Sequence, residues 1–133
     1  MKAVDTTFII DLLRGDMDAV KKAEGFDVAG GAATTAVNLF EITYGVYGSR
    51  HIDRERRLFE VERLFSRMDL FPLDARAAVE AGKILGVLSG EGKMIDVLDG
   101  MIGAIAVVNG CDTIVTRNVD HFNRIPDLNV ETY

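Results

Sequence analysis

A chain of 133 residues, 48% hydrophobic and 27% charged with two prolines, has the length of one domain and enough apolar material for a core without covalent staples. Fifteen basic against 21 acidic side chains leave a formal charge of −6, which excludes a protein that grips nucleic acid through a broad basic surface but not an enzyme whose metal ions supply positive charge. The lone cysteine, Cys111, rules out an intrachain disulfide and fits a reducing, cytoplasmic setting. Uncharged stretches such as Val28–Phe40 and Gly100–Cys111 fall short of the ~18–20 residues of a membrane span, and Asp5 follows Lys2 too closely for a secretory signal.

Residues 2–4 (KAV) read as a short strand stopped by Asp5. A helix over Thr6–Arg14 follows, with Phe8, Ile9, Leu12 and Leu13 on one face. Gly15 ends it, and Asp16 caps a second helix running to Glu24. Val28–Ala33 is weakly strand-like. Thr34 or Thr35 then caps a helix carrying Val37, Phe40, Glu41 and Tyr44, which fades at Gly45–Gly48. Ile52–Met68 has Leu58, Val61, Leu64, Phe65 and Met68 at helical spacing. Asp69–Leu73 is a strand ended by its proline, and Asp74 caps an alanine-rich helix to Ser89. Asp96 opens a helix to Asn109 that is apolar almost all round and therefore buried. Thr113–Thr116, Val119–Phe122 and Leu128–Glu131 read as a strand, a helical turn and a last strand. Short strands alternating with helices imply an α/β fold with a parallel sheet covered on both faces. Ligands bind such sheets beyond the carboxyl ends of the strands, where Asp5 and Thr116–Asn118 fall.

The acids on apolar elements carry the chemistry. Asp96 and Asp99 share a face of a helix otherwise built from GMIGAIAVV, and buried acids need partners. Asp96 also reads as a helix cap; Asp99 lies a turn further in, where capping explains less. Glu41 sits between Phe40 and Ile42, with Asn38 one turn earlier on the same face. Asp5 ends a central strand, and Asp11 lies among Ile10, Leu12 and Leu13. Two carboxylates ~4 Å apart repel by about 4 kcal/mol at an effective dielectric near 20, so several converging acids require protons or a cation. An all-oxygen set suits Mg²⁺ or Mn²⁺. Zinc fits poorly, because neither His51 nor His121 stands at a ligand spacing from Cys111. No phosphate loop, nucleophile elbow or Ser/His/Asp pattern is present.

Four blocks, DTTFIIDLLRG, NLFEITYG, DVLDGMIGAIAVVNG and IVTRNVDHFNRIPDLNVETY, come in an order that resembles the PIN-domain ribonucleases, specifically the VapC-type toxins of toxin–antitoxin pairs. The resemblance spans essentially residues 1–133 as a single PIN-like domain, a three-layer α/β/α fold with a short central parallel sheet flanked by helices. It implies Asp5, Glu41 and Asp99 as acidic ligands, Asp96 as an additional acid, and Thr116 and Asn118 as the motif closing the site. Many relatives carry Asp at the place of Asn118, which leaves a second metal open; Asp120 is a candidate substitute. Thr6 or Thr7 matches the hydroxyl after the first Asp. The implied activity is hydrolysis of single-stranded or looped RNA with one or two Mg²⁺ or Mn²⁺ ions, leaving a 5′-phosphate and a 3′-hydroxyl. The implied partners are a second copy in a homodimer and a VapB-like antitoxin, whose tail would lie in a groove beside Phe40 and Tyr44.

Local positive charge for RNA comes first from Arg14, Arg117 and Arg124, which flank the acidic blocks. The run Arg50–Arg67 holds six arginines against four acids and reads better as a solvated helix face. Two other readings compete. A phosphotransfer domain of the dehalogenase kind needs an Asp two residues after the first, where Thr7 stands, and a receiver domain needs a lysine where Arg117 stands. A catalytically degenerate PIN fold that only binds a partner rests on Asn118 alone.

Overall fold

The computed structural model describes residues Met1–Tyr133. In chain order the elements are β1 (Lys2–Val4), α1 (Thr6–Leu13), α2 (Met17–Ala29), β2 (Ala33–Thr35), α3 (Ala36–Gly48) and α4 (Arg54–Phe65). They continue as β3 (Asp69–Phe71), α5 (Ala75–Gly90), α6 (Val97–Val108), β4 (Thr113–Val115), α7 (Val119–Phe122) and β5 (Asn129–Glu131). All five strands are parallel, in the order β3-β2-β1-β4-β5. Central β1 pairs with β4 from Lys2↔Thr113 to Val4↔Val115 and with β2 at Ala3↔Ala33.

Alternation along the strands divides the core into two layers. Ala3 and Ile114 join Ile84, Leu88, Ile102, Ile105 and Phe122 on the α5–α6 side. Val4 and Val115 join Phe8, Ile9, Phe26, Val61 and Phe65 on the other side. The expected three-layer α/β/α architecture follows from this two-sided burial. Glycine lets α6 come in close: a Cβ at Gly100 would lie 2.5 Å from Leu85 Cδ2, and one at Gly103 would lie 2.4 Å from Ile125 Cδ1.

Element boundaries depart from the sequence expectation by a residue or two at β3, β4 and β5 and by more at α2, β2 and α4. Helix α2 continues past Glu24 to Ala29, because Phe26 is buried against Phe8 and extends the apolar face beyond Gly25. It ends at Gly30, where φ is 98°, and β2 is confined to Ala33–Thr35. Helix α4 starts at Arg54 because the Asp53 carboxylate accepts the Arg56 N–H. Thr34 belongs to β2, and Thr35 caps α3 in a reciprocal box with Asn38.

The chain leaves β1 toward β2 on one side and returns to β4 on the other. Strand order therefore reverses at β1, and a crevice opens beyond the carboxyl ends of β1 and β4. The Asp5 N–H donates to Val115 O at 3.1 Å, which binds these two strand ends together at the floor of the crevice.

Candidate active site

Asp5 occupies the position that caps α1, yet its side chain makes no capping hydrogen bond, and it is 2% exposed. The carboxylate faces the crevice instead. Its Oδ2 accepts the hydroxyls of Thr116 (2.8 Å) and Thr7 (3.3 Å). Its Oδ1 meets only the Asn38 amide, at 3.5 Å. Thr116 is fully buried just past β4, so the first acid and the closing motif meet although 111 residues separate them in sequence.

Glu41 comes from α3 and is half-buried at the rim. Its Oε1 accepts the Thr6 hydroxyl at 2.7 Å. Asn38, one turn earlier, is fully buried and ties this acid to Asp5: its Nδ2 donates to Thr6 Oγ1 (3.0 Å) as well as toward Asp5. Its Oδ1 accepts from Thr34 Oγ1, Thr35 Oγ1 and Thr35 N–H at 2.8–3.2 Å. Both candidate hydroxyls are thus used, Thr6 on Glu41 and Thr7 on Asp5.

Asp99 projects from the first turn of α6 and is 9% exposed. Its Oδ2 accepts Asn118 Nδ2 at 2.8 Å and lies 2.7 Å from His121 Nδ1. Asn118 precedes α7 without capping it, so its amide holds Asp99. Asp96 is exposed and caps α6, accepting the Leu98 and Asp99 N–H groups. Asp120 is exposed on α7 and bonds to none of these residues. Sequence reading missed roles for Asn38 and His121. An amide three residues before Glu41 and a histidine three after Asn118 were the available signals, since both spacings share a helix face.

Burial holds all three inner carboxyls above their ordinary range. For Asp5, desolvation outweighs the Thr116 hydroxyl that favours its charge. For Glu41, desolvation outweighs Thr6, and the charges of Asp5, Asp99 and Asp96 add to the rise. For Asp99, desolvation and the Asp96 charge outweigh His121 and Asn118. The acids therefore share one negative field, in which each charge makes the others harder to form. No three acidic, histidine or cysteine side chains stand together closely enough to enclose an ion by themselves.

The arginines divide by use. Arg117 pairs through Nε with Asp11 (3.0 Å) and through Nη2 with Asp16 (3.3 Å), and stacks on Tyr133 with its guanidinium 4.4 Å from the ring centroid. Arg124 donates to the Lys93 and Met94 carbonyls. Along α4, Arg56 and Arg57 pair with Glu60, and Arg54 and Arg63 lie over Tyr47 and Phe59, as a solvated face should. Arg14 has no carboxylate partner and lines a groove with Glu41, Ile10, Gly45, Ile52 and Arg57.

A parallel sheet with acids converging beyond β1 and β4 defines a class of protein, and comparison with known proteins identifies it. The model of the PIN domain matches residues 2–128, and the chain belongs to that family. It is 30% identical over 130 residues to the tRNA(fMet)-specific endonuclease VapC of Shigella flexneri, covering 98% of this chain and 96% of the relative. It is 33% identical over 129 residues to ribonuclease VapC19 of Mycobacterium tuberculosis, covering 96% and 97%. Among solved structures, DNA-bound VapBC from Salmonella typhimurium superposes with a TM-score of 0.87 at 28% identity, covering 98% of this chain and 96% of that one. VapBC2 from Rickettsia felis, bound to a DNA fragment from its promoter, also gives 0.87, at 22% identity, and shares the fold across 99% and 98%. Within the PIN family this is a VapC-type ribonuclease.

Proposed function

We propose that the crevice hydrolyses RNA phosphodiester bonds with Mg²⁺ or Mn²⁺ held at Asp5, Asp99 and Glu41. One observation carries this reading: each acid is oriented through one oxygen, and the other is free on Glu41 and Asp99 and meets only a long amide contact on Asp5. Thr116 and Thr7 hold Asp5 Oδ2, Thr6 holds Glu41 Oε1, and Asn118 and His121 hold Asp99 Oδ2. No hydrogen bond reaches Glu41 Oε2 or Asp99 Oδ1, and only the 3.5 Å contact reaches Asp5 Oδ1. The donor set is hard oxygen, and the desolvated acids gain from a cation. An ion of this kind keeps several waters, and substrate phosphate completes its shell.

When bound, the ion supplies positive charge that polarises the scissile phosphate and acidifies a nearby water. The chain's own residues orient and shield. Thr116 and Thr7 fix Asp5, Asn38 keeps Thr6 aimed at Glu41, and Asn118 with His121 fixes Asp99. Asp96 deepens the negative potential while its cap starts α6 where Asp99 is needed. Asn118 supports Asp99 through Nδ2 in this reading, so the amide at that position serves a working site and not a degenerate one. Arg14, free of carboxylates beside Glu41, meets a flanking phosphate of single-stranded or looped RNA.

The reading extends to partners. Phe40 and Tyr44 are 54% and 73% exposed and line a shallow apolar groove with Ala36, Leu39 and Tyr47. A VapB-like antitoxin segment seats there, and the chain also pairs with itself as a homodimer. RNA cleavage with Mn²⁺, with EDTA, and by Asp99→Asn tests the chemistry. The expected loss in the variant is about 100-fold, or about 2.7 kcal/mol of transition-state stabilisation. Equal cleavage by wild type and Asp99→Asn, or cleavage that persists in EDTA, refutes it.

A further inference from the structure

Between Thr116, which holds Asp5, and Asn118, which holds Asp99, stands a residue that touches neither acid. Arg117 is bolted to a different part of the molecule. Its backbone N–H donates to Thr7 Oγ1 at 3.1 Å, and its guanidinium bridges Asp11 at the end of α1 to Asp16 at the start of α2. Asp11 Oδ2 also accepts the Tyr133 hydroxyl at 2.7 Å. The Tyr133 ring lies under the guanidinium at 4.4 Å and edge-on to buried Phe8 at 5.1 Å. One carboxylate oxygen thus gathers a cation and a phenol, and one aromatic ring fixes the plane of that cation. Arg117 is itself exposed, and its doubly paired, stacked geometry restrains orientation more than an isolated exposed ion pair does.

We infer that Asp11, Arg117 and Tyr133 form a clamp that positions the Thr116–Asn118 turn, and with it the separation of Asp5 from Asp99, for the cleavage reaction. The inference rests on the ribonuclease reading of the crevice. It makes these three positioning residues, none of which touches RNA or metal. The turn is held from inside by Thr116 N–H on Glu131 O, by Asn118 N–H on Thr116 Oγ1 and by the buried Thr116 and Phe122, and the Arg117 side chain supplies the restraint on its outer side. Loss of the clamp lets Thr116 and Asn118 drift apart, each taking its acid with it, and small misplacements at reacting centres cost rate before they cost binding.

Single-turnover cleavage of an RNA oligonucleotide in Mn²⁺ tests the clamp in wild type, Asp11→Asn, Arg117→Gln and the double variant. Each single change is expected to lower the maximal rate about 10-fold while the half-saturating RNA concentration stays within about twofold. The double variant is expected to lose no more than about 10-fold, against the roughly 100-fold of independent residues. Tyr133→Phe keeps the ring under Arg117 and removes only the hydroxyl; it gives a smaller loss of maximal rate and carries the test if Asp11→Asn folds poorly. A raised half-saturating concentration at unchanged maximal rate in Arg117→Gln assigns that side chain to RNA and overturns the clamp, as do additive losses or a silent Asp11→Asn. If wild type cleaves no RNA with Mn²⁺, the ribonuclease reading fails separately. The clamp is then judged by amide exchange at Arg117 and Asn118, expected to be about 10-fold faster in Asp11→Asn, with unchanged exchange overturning it.

Discussion

Replacing Asn38 with aspartate adds a charge at the centre of the site and removes the amide donor that reaches Thr6 and Asp5. The side chain keeps its shape, and Oδ1 still accepts from Thr34 and Thr35. The second oxygen arrives where Nδ2 stood, 3.5 Å from Asp5 Oδ1. At that distance two full charges repel by about 5 kcal/mol at an effective dielectric near 20. Taking up a proton is the escape, and at pH 7 it costs about 4 kcal/mol for a carboxyl whose unfolded pKa is ~3.9. The expected destabilisation in EDTA at pH 7 is therefore about 4 kcal/mol. Its sign with pH is fixed: the folded-state pKa lies above the unfolded one, so the folded form binds the extra proton. The loss is absent below about pH 4 and grows as pH rises toward the folded-state value. Urea unfolding at pH 4.5 and pH 7 measures it, and Mn²⁺ should restore more stability to Asn38→Asp than to wild type. Equal midpoints for both proteins at pH 7, or the same loss at both pH values, refutes the reasoning, because only charge repulsion titrates.

Asp5→Asn and Asp99→Asn should each hold or raise the melting temperature in EDTA, since both carboxyls sit above their ordinary range chiefly through burial; the advantage over wild type should widen from about pH 4 upward, and a clear drop in both melting temperatures would make them structural residues. Gly100→Ala should lose about 1–3 kcal/mol of stability by chemical denaturation, because its Cβ would meet Leu85 Cδ2 and Cγ at 2.5 and 2.7 Å; a loss below 0.5 kcal/mol would mean that α5 yields freely. Burial and the nearby Asp11 push the Tyr133 phenol up to about 12, so ultraviolet titration should show a tyrosinate step near that pH that disappears in Tyr133→Phe.

Much of the crevice was legible in the one-dimensional pattern because its acids violate it. Asp99 interrupts an apolar helix and Glu41 lies between Phe40 and Ile42, and an isolated charge has no reason to accept desolvation there. Asp5 was ambiguous, since a strand-terminal aspartate ordinarily caps the next helix; only the fold shows its side chain forming no cap bond and meeting Thr116 instead. Asn38 and His121 left no comparable mark, because a neutral amide or imidazole on a helix violates no burial rule, and their importance lies in what they face. The end of α2 was misjudged for a related reason: Gly25 looks like a stop, and only the contact of Phe26 with Phe8 carries the helix to Gly30.

From the amino-acid order alone came the alternation of strands and helices and the acidic set, because hydrophobic period and misplaced charge are local properties that survive without coordinates; the PIN-like class came from the resemblance of four sequence blocks to that family. Tertiary structure decided the rest: which oxygen of each acid is held, that Thr6 and Thr7 serve different acids, and that Arg117 answers to Asp11 and Tyr133 while Arg14 has no carboxylate partner. Most of those choices depend on contacts between separate elements, from 19 residues apart for Asn118 on Asp99 to 111 for Thr116 on Asp5, set by how β1 sits between β2 and β4.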